Sequence, residues 1–460
     1  MTLPEDSARG TGAHLDGVWR MDGYGTVLEL SNGRLREYQT TGVSCLEGGS
    51  ARRTETGDGG GSATYTAADK TVYRLRTGGG GHRGRGGDQA WLHIDGSPGD
   101  RGLRRLDELP RTCTEARRPG GGGTAPAAPD PVRTFDVFWQ TFEENYPFFA
   151  AKGIDWHAVR DRYRPKVRAG MSDVELFAVL SDMVKPLNDA HVHVAHPKGY
   201  FARARPGTVV PSEDLDKRTT SYITKRDLGG HRLREFARGR IGYVDLPGDQ
   251  GYLRISGFGG YTHDRHNSYA ANRAELDRAL DAVLTPARTA RLRGLIIDLR
   301  INGGGSDALG LRIAERLTDR GYRAYAKQAR NDPADPTRFT RLQPISVHPA
   351  PGPRYTGPIA VLTGGSTVSA GETFTQALMD RPGRTIRIGE PTQGVFSDVM
   401  VRALPNGWEF GLPNEVFRTR SGRTFDATGI PPHISEPVFT EEEFAGHRDS
   451  AFDRAVAVLR

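Results

Sequence analysis

The chain of 460 residues holds only two cysteines, Cys45 and Cys113. That is too few for a disulfide scaffold, and their spacing fits no zinc pattern. A single bridge between them is compatible only with an exported protein. Long apolar runs are missing too: the longest, Gly294 to Leu299 and Pro358 to Leu362, are strand-sized and far short of the roughly 18 residues of a membrane-spanning helix. The N-terminal Met-Thr-Leu-Pro-Glu-Asp lacks both the basic start and the apolar core of a secretory signal. The expectation is a cytoplasmic protein, or an exported one if the true start lies upstream. Lysine is scarce, 8 among 63 basic residues, and a net charge of +7 over this length is mild. Neither a nucleic-acid nor a membrane partner is expected.

What is abundant is punctuation, with 59 Gly and 29 Pro. Residues 1–14 are expected to be a flexible N-terminus. Residues 15–118 read as a small β-rich domain, because Gly17-Val-Trp-Arg, Gly25-Thr-Val-Leu-Glu-Leu and Thr71-Val-Tyr-Arg-Leu-Arg alternate apolar with polar between Gly-rich turns. The tracts Gly57 to Gly61 and Gly78 to Gly87 interrupt it as loops. Residues 119–131, rich in Gly, Pro and Ala, form a linker. Helical spacing follows through residues 132–200, most plainly in Ser172 to Leu187, which opens with the capping box Ser172-Asp-Val-Glu175. From 240 to 440 strands alternate with helices, the pattern of a largely parallel sheet covered by helices. A helix over 441–460 closes the chain, and no repeat is apparent.

Two strand-to-helix junctions carry unusual chemistry, since loops there converge on helix N-termini that favour negative charge. In Asp298-Leu-Arg300-Ile-Asn302-Gly-Gly-Gly305 three glycines allow backbone N–H groups to approach a ligand, as an oxyanion hole or a phosphate cradle requires; the same glycines also suit a plain tight turn. In Thr367-Val-Ser369-Ala-Gly-Glu372 a serine opens a helix, a place that suits a nucleophile; Ser369 and Glu372 equally form a capping box.

The ordered set Leu187-Asn-Asp-Ala-His191, Asp298-Leu-Arg-Ile-Asn302-Gly-Gly-Gly, Thr367-Val-Ser369-Ala-Gly-Glu372 and Gly389-Glu-Pro-Thr392-Gln-Gly394 resembles the tail-specific, C-terminal-processing and tricorn-type serine peptidases over about residues 133–440. The resemblance implies an α/β fold with a crotonase/ClpP-like core, a helical lead-in, Ser369 as nucleophile, and an oxyanion hole from Gly304 and the N–H of Ala370. It implies a peptide or protein substrate and no metal or cofactor. Val395 stands where the Ser-Lys branch has its lysine, and the last lysine of the chain is Lys327. The Ser-His branch is therefore implied, with His191 as general base and Asp426, in Asp426-Ala-Thr-Gly429, as the acid that orients it.

Two departures stand out. Ala190 occupies a position where the tricorn pattern has serine, which weakens the link from His191 to Asp426. The stretch from His191 to Ile241 is too short for a peptide-binding PDZ module, so substrate capture falls to the β domain or to an irregular flap over Asn331 to Pro353. Arg300 and Asn302 are expected to hold the glycine turn, Asp298 to brace it, and His193 and His196 to be structural, His193 sharing a strand face with His191. A family resemblance to retinoid-binding proteins of the eye leaves a rival reading, a catalytically silent module holding an apolar ligand or peptide.

Overall fold

The structure, a computed structural model, describes residues 15–57, 61–78, 88–116, 130–263 and 267–460. The expected flexible N-terminus, most of both glycine tracts and residues 119–129 of the expected linker lie outside these. The chain divides into two compact units, residues 1–95 with 99–128 and residues 96–98 with 129–460.

The first unit is a closed barrel of eight antiparallel strands in chain order, from Gly17–Met21 to Asp100–Leu106. The period-two alternation turns Trp19, Leu28, Leu35, Tyr65, Leu75 and Leu92 into the lumen, all of them buried. Closure pairs the first strand with the last, Val18 opposite Leu106 and Met21 opposite Leu103. A short helix, Arg111–Ala116, lies on the outer face, where Val27, Tyr38 and Leu109 cluster around a disulfide between Cys45 and Cys113. The bridge joins residues 68 apart and stabilises by restricting the unfolded chain, by about 4 kcal/mol on loop-entropy grounds.

The second unit is mixed α/β. Its main sheet has seven strands in the order Arg234–Phe236, Ile241–Leu246, Gln250–Ile255, Gly294–Asp298, Ile359–Thr363, Thr385–Gly389 and Ile434–Ser435. The first three run antiparallel and the remaining pairs parallel. Gly294–Asp298 and Ile359–Thr363 are buried at every position, which is why they read as unbroken apolar runs. The helical lead-in packs Phe138, Phe142, Trp156 and Leu180 against Phe410 and Leu412 of a separate four-stranded sheet that also contains His193–His196.

Three boundaries differ from expectation. The linker does not reach residue 131: a helix, Pro131–Asn145, starts there, with Asp130 Oδ1 accepting the N–H groups of Val132 and Arg133, because proline fits a first helical turn. The C-terminal helix is two, Glu441–Ala445 and Ser450–Val458, separated where His447 turns left-handed and Asp449 caps anew. The presumed irregular flap holds a strand, Gln343–Val347, paired with Tyr322–Ala329, so its prolines flank the pairing instead of preventing it.

Candidate active site

The two junctions meet because their strands are neighbours. Gly294–Asp298 and Ile359–Thr363 lie side by side in parallel, and each chain continues into a second short pairing, Ile301 beside Ser366 and Asn302 beside Thr367. Val368 N–H then donates to the Asn302 carbonyl at 3.0 Å. This zips the glycine turn against Ser369. A Cβ on Gly304 would stand 2.7 Å from Ser369 Cβ and 3.2 Å from Ala370 N, and one on Gly305 2.2 Å from the Phe258 carbonyl oxygen. Only glycine fits either place.

Ser369 has φ 55° and ψ −119°. The four other serines that cap helices, Ser172, Ser212, Ser268 and Ser306, all have negative φ with ψ between 121° and 161°, as a helix cap ordinarily does. A non-glycine residue held so far from that region costs on the order of 1–3 kcal/mol, and such strain collects at functional sites. The surroundings hold it: Ser369 N–H donates to the Glu372 carboxylate at 3.2 Å, and its carbonyl accepts from the Glu372 and Thr373 N–H groups. The helix Ala370–Ala377 that follows is buried at every residue. As its first residue, Ala370 has no intrahelical acceptor for its N–H. The amide of Gly304, in contrast, donates to Asn302 Oδ1 at 2.9 Å, so in this structure it is occupied.

A single loop links the remaining groups. Glu372 is fully buried and accepts from Thr392 Oγ1 (2.6 Å), Gly394 N (2.6 Å) and Val395 N (2.8 Å). Burial pushes its pKa up to about 7, with these donors pulling the other way. The next residue, Phe396, donates its N–H to Asp426 Oδ1 at 3.4 Å, and Thr424 Oγ1 donates to Oδ2 at 2.7 Å. Burial pushes Asp426 up to about 8; Thr424 opposes this, while the Glu372 and Asp189 charges add to it. One residue further, the Ser397 backbone hydrogen-bonds the His191 imidazole.

His191 is 8% exposed and precedes the strand His193–His196, so the two histidines do not share a strand face. The chain reaches it through Asn188, left-handed at φ 46°, and its N–H donates to Asp189 Oδ1 at 3.1 Å. Asp189 Oδ2 accepts from the Tyr146 hydroxyl at 2.8 Å. Burial lowers the His191 pKa from its ordinary value, against the raising influence of Asp189 and Asp398. Its Nδ1 is buried with no partner among the described residues. There too, no hydrogen bond joins His191 to Ser369 or to Asp426. His193 stacks on Tyr200 and His196 on Trp408.

The structure thus gathers Gly304, Ser369 and Ala370 into one cluster and ties His191, Asp426 and Glu372 to it through residues 392–397. Sequence reasoning left out Asp189, Tyr146 and Asp398. Asp189 lay inside the histidine motif; Tyr146 and Asp398 carry no local signal, being joined to the site only by the fold. Lys327 donates to Glu415 at 2.9 Å, in a buried ion pair. Asn302 does hold the glycine turn, through Gly304 N and by donating Nδ2 to the Ile255 carbonyl at 2.8 Å. Arg300 does something else: fully buried, it binds Asp298 and both carboxylate oxygens of Asp449, which pins the C-terminal helix to the strand end.

Residues 249–436 match peptidase family S41, and residues 132–185 match the tricorn protease C1 domain. A carboxy-terminal-processing protease of Bartonella bacilliformis is 26% identical over 203 residues, 44% of this chain and 42% of that relative. The chain therefore aligns with about two-fifths of that protein's length. Among solved structures, a putative peptidase from Parabacteroides merdae superposes with a TM-score of 0.61 at 24% identity, over 72% of this chain and 97% of its own. Mature CPAF complexed with lactacystin gives a TM-score of 0.51 at 13% identity, over 72% and 97%. At these identities the two structures speak for the fold alone. Taken with the Bartonella relative, the two family matches support one conclusion: a serine-type peptidase of the carboxy-terminal-processing and tricorn-like kind.

Proposed function

We propose that this chain is a serine endopeptidase that hydrolyses peptide bonds of peptide or protein substrates through an acyl-enzyme, on a core of the crotonase/ClpP type. Ser369 Oγ attacks the scissile carbonyl. His191 takes its proton and passes it to the leaving amine, then activates the water that releases the acyl group. The oxyanion is held by the Ala370 N–H at the positive end of its helix, joined by Gly304 when its amide turns from Asn302 to the substrate. Asp426 has a weaker, positioning part: its carboxyl accepts from the Phe396 N–H and so steadies the loop whose next residue, Ser397, meets the histidine. The observation that carries this reading is the backbone of Ser369, strained where the other serine caps are relaxed and pressed against a glycine that admits no side chain.

A fluorophosphonate probe tests it. Covalent labelling of the wild type that vanishes in Ser369→Ala is the expected result. A wild type that stays unlabelled and binds retinoid instead would favour the silent module. We also infer an oxidising compartment, because the Cys45–Cys113 bridge persists only there in most organisms. Alkylation of protein taken from its native cells should find no free thiol; two alkylated cysteines would return it to the cytoplasm.

A further inference from the structure

The helical lead-in brings to the candidate site a buried charge that the peptidase reading leaves unused. Asp189 stands two residues before His191 and is 4% exposed. Its Oδ1 accepts the His191 backbone N–H at 3.1 Å. Its Oδ2 meets two groups of the lead-in, the Tyr146 hydroxyl at 2.8 Å and Lys152 Nζ at 3.7 Å. Tyr146 ends the helix Pro131–Asn145, where Arg330 donates to its carbonyl at 3.3 Å. Lys152 closes the turn Ala150–Lys152 with its side chain 8% exposed. A carboxylate tolerates burial where a cation and a hydroxyl meet it. Asp426 has no such cation among the described residues and is pushed up to about 8. The charges acting on the His191 ring include Asp189 and Asp398, which favour its protonated form, and His193, which opposes it. Of the two carboxylates, Asp398 lies 3.8 Å from Lys327 with its side chain 40% exposed, so water screens it far more than Asp189.

We propose that Asp189, held by Tyr146 and Lys152, is the positioning residue of His191: it fixes the histidine's backbone and stabilises the imidazolium that forms when Ser369 gives up its proton. That is the part a triad acid ordinarily plays, here taken by a group within the histidine's own loop. The helical lead-in is thereby part of the catalytic unit as well as its scaffold. The proposal rests on the Ser369–His191 reading.

The test is the pH profile of fluorophosphonate labelling at Ser369 in the full chain carrying Asp189→Asn. The amide oxygen can still accept the His191 N–H, so the loop is kept while the charge is lost. Loss of that charge disfavours the imidazolium and makes the neutral ring a weaker base. The profile's midpoint should therefore move to lower pH by about 1 unit, and the plateau rate should fall by about tenfold or more. Circular dichroism checks the fold; if Asp189→Asn does not fold, the double variant with Lys152→Met, which removes the buried pair together, carries the same expectation. A plateau rate equal to wild type would overturn the proposal. So would a lower plateau with the midpoint unmoved or raised, the mark of a merely structural role. A wild type unlabelled at Ser369 would instead overturn the peptidase reading itself, so the two failures are told apart.

Discussion

Asp298 and Asp426 are both buried carboxyl groups in the same unit, 3% and 6% exposed, yet their chemistry runs in opposite directions. Asp298 pays the desolvation penalty of burial but has Arg300 on both oxygens and the Tyr252 hydroxyl at 2.6 Å, and its pKa ends below the ordinary value. Among the described residues Asp426 accepts only from Thr424 Oγ1 and one backbone N–H, with Glu372 and Asp189 nearby, and ends at about 8. Burial alone therefore does not set the charge of a carboxyl group; a cation in contact does. The first group belongs to a closed ion network that fixes the strand end and the C-terminal helix. The second stays protonated near neutral pH, which suits a group that tunes a site more than one that anchors a fold.

The sharpest way to break this contrast is at the reacting groups that Asp426 stands behind. Ser369→Ala and His191→Ala should each lower kcat/KM by at least about 10⁴-fold, and the double variant should be little worse, since nucleophile and base act as a unit. Assays of the three purified variants on one peptide substrate check this; additive losses would separate the two residues. Next in size is the anchoring network. Asp298→Asn leaves Arg300 buried with one partner fewer, and urea unfolding should show a loss of about 3–5 kcal/mol. Stability within 1 kcal/mol of wild type would mean that Asp449 alone suffices.

Asp426→Asn should do far less. No hydrogen bond joins Asp426 to His191 among the described residues, and the amide resembles the protonated acid already favoured at neutral pH, so kcat/KM at pH 7 should fall by tenfold or less. A loss near 10⁴-fold would make Asp426 a full triad acid. The two carboxyl groups also predict opposite slopes of stability with pH. For Asp426 the folded state holds its proton, so its contribution is complete below an unfolded value of about 4 and fades as pH rises towards about 8. For Asp298 the contribution is present above about 4 and is lost as pH falls through its lowered value. Melting temperatures across pH should therefore flatten between about pH 4 and 8 in Asp426→Asn and below about pH 4 in Asp298→Asn.

Much of this was legible in the sequence, for physical reasons. The strands Gly294–Asp298 and Ile359–Thr363 announce themselves because burial on both faces demands unbroken apolar runs. The capping box at Ser172 and Glu175 is local chemistry and was read as such. Gly304 and Gly305 were visible as glycines, but what they press against came only from the pairing of Ile301–Asn302 with Ser366–Thr367, two residues long and below any pattern. The left-handed backbone of Ser369 has no signature in residue type, since serine caps look alike in sequence. Barrel closure was equally hidden, because Val18 meets Leu106 only after six intervening strands have set the stagger. The Asp298–Arg300–Asp449 network spans 151 positions from its first member to its last, so nothing near Arg300 in the sequence points to Asp449 as its partner.

The most direct test of the account is the pH dependence of fluorophosphonate labelling in the intact chain. A buried His191 with a depressed pKa should give a single labelled residue, Ser369, at a rate that rises with pH through a midpoint below the ordinary imidazole value of about 6.5, and labelling should be lost in His191→Ala. Label on another residue, or a rate at Ser369 unchanged by His191→Ala, would contradict it.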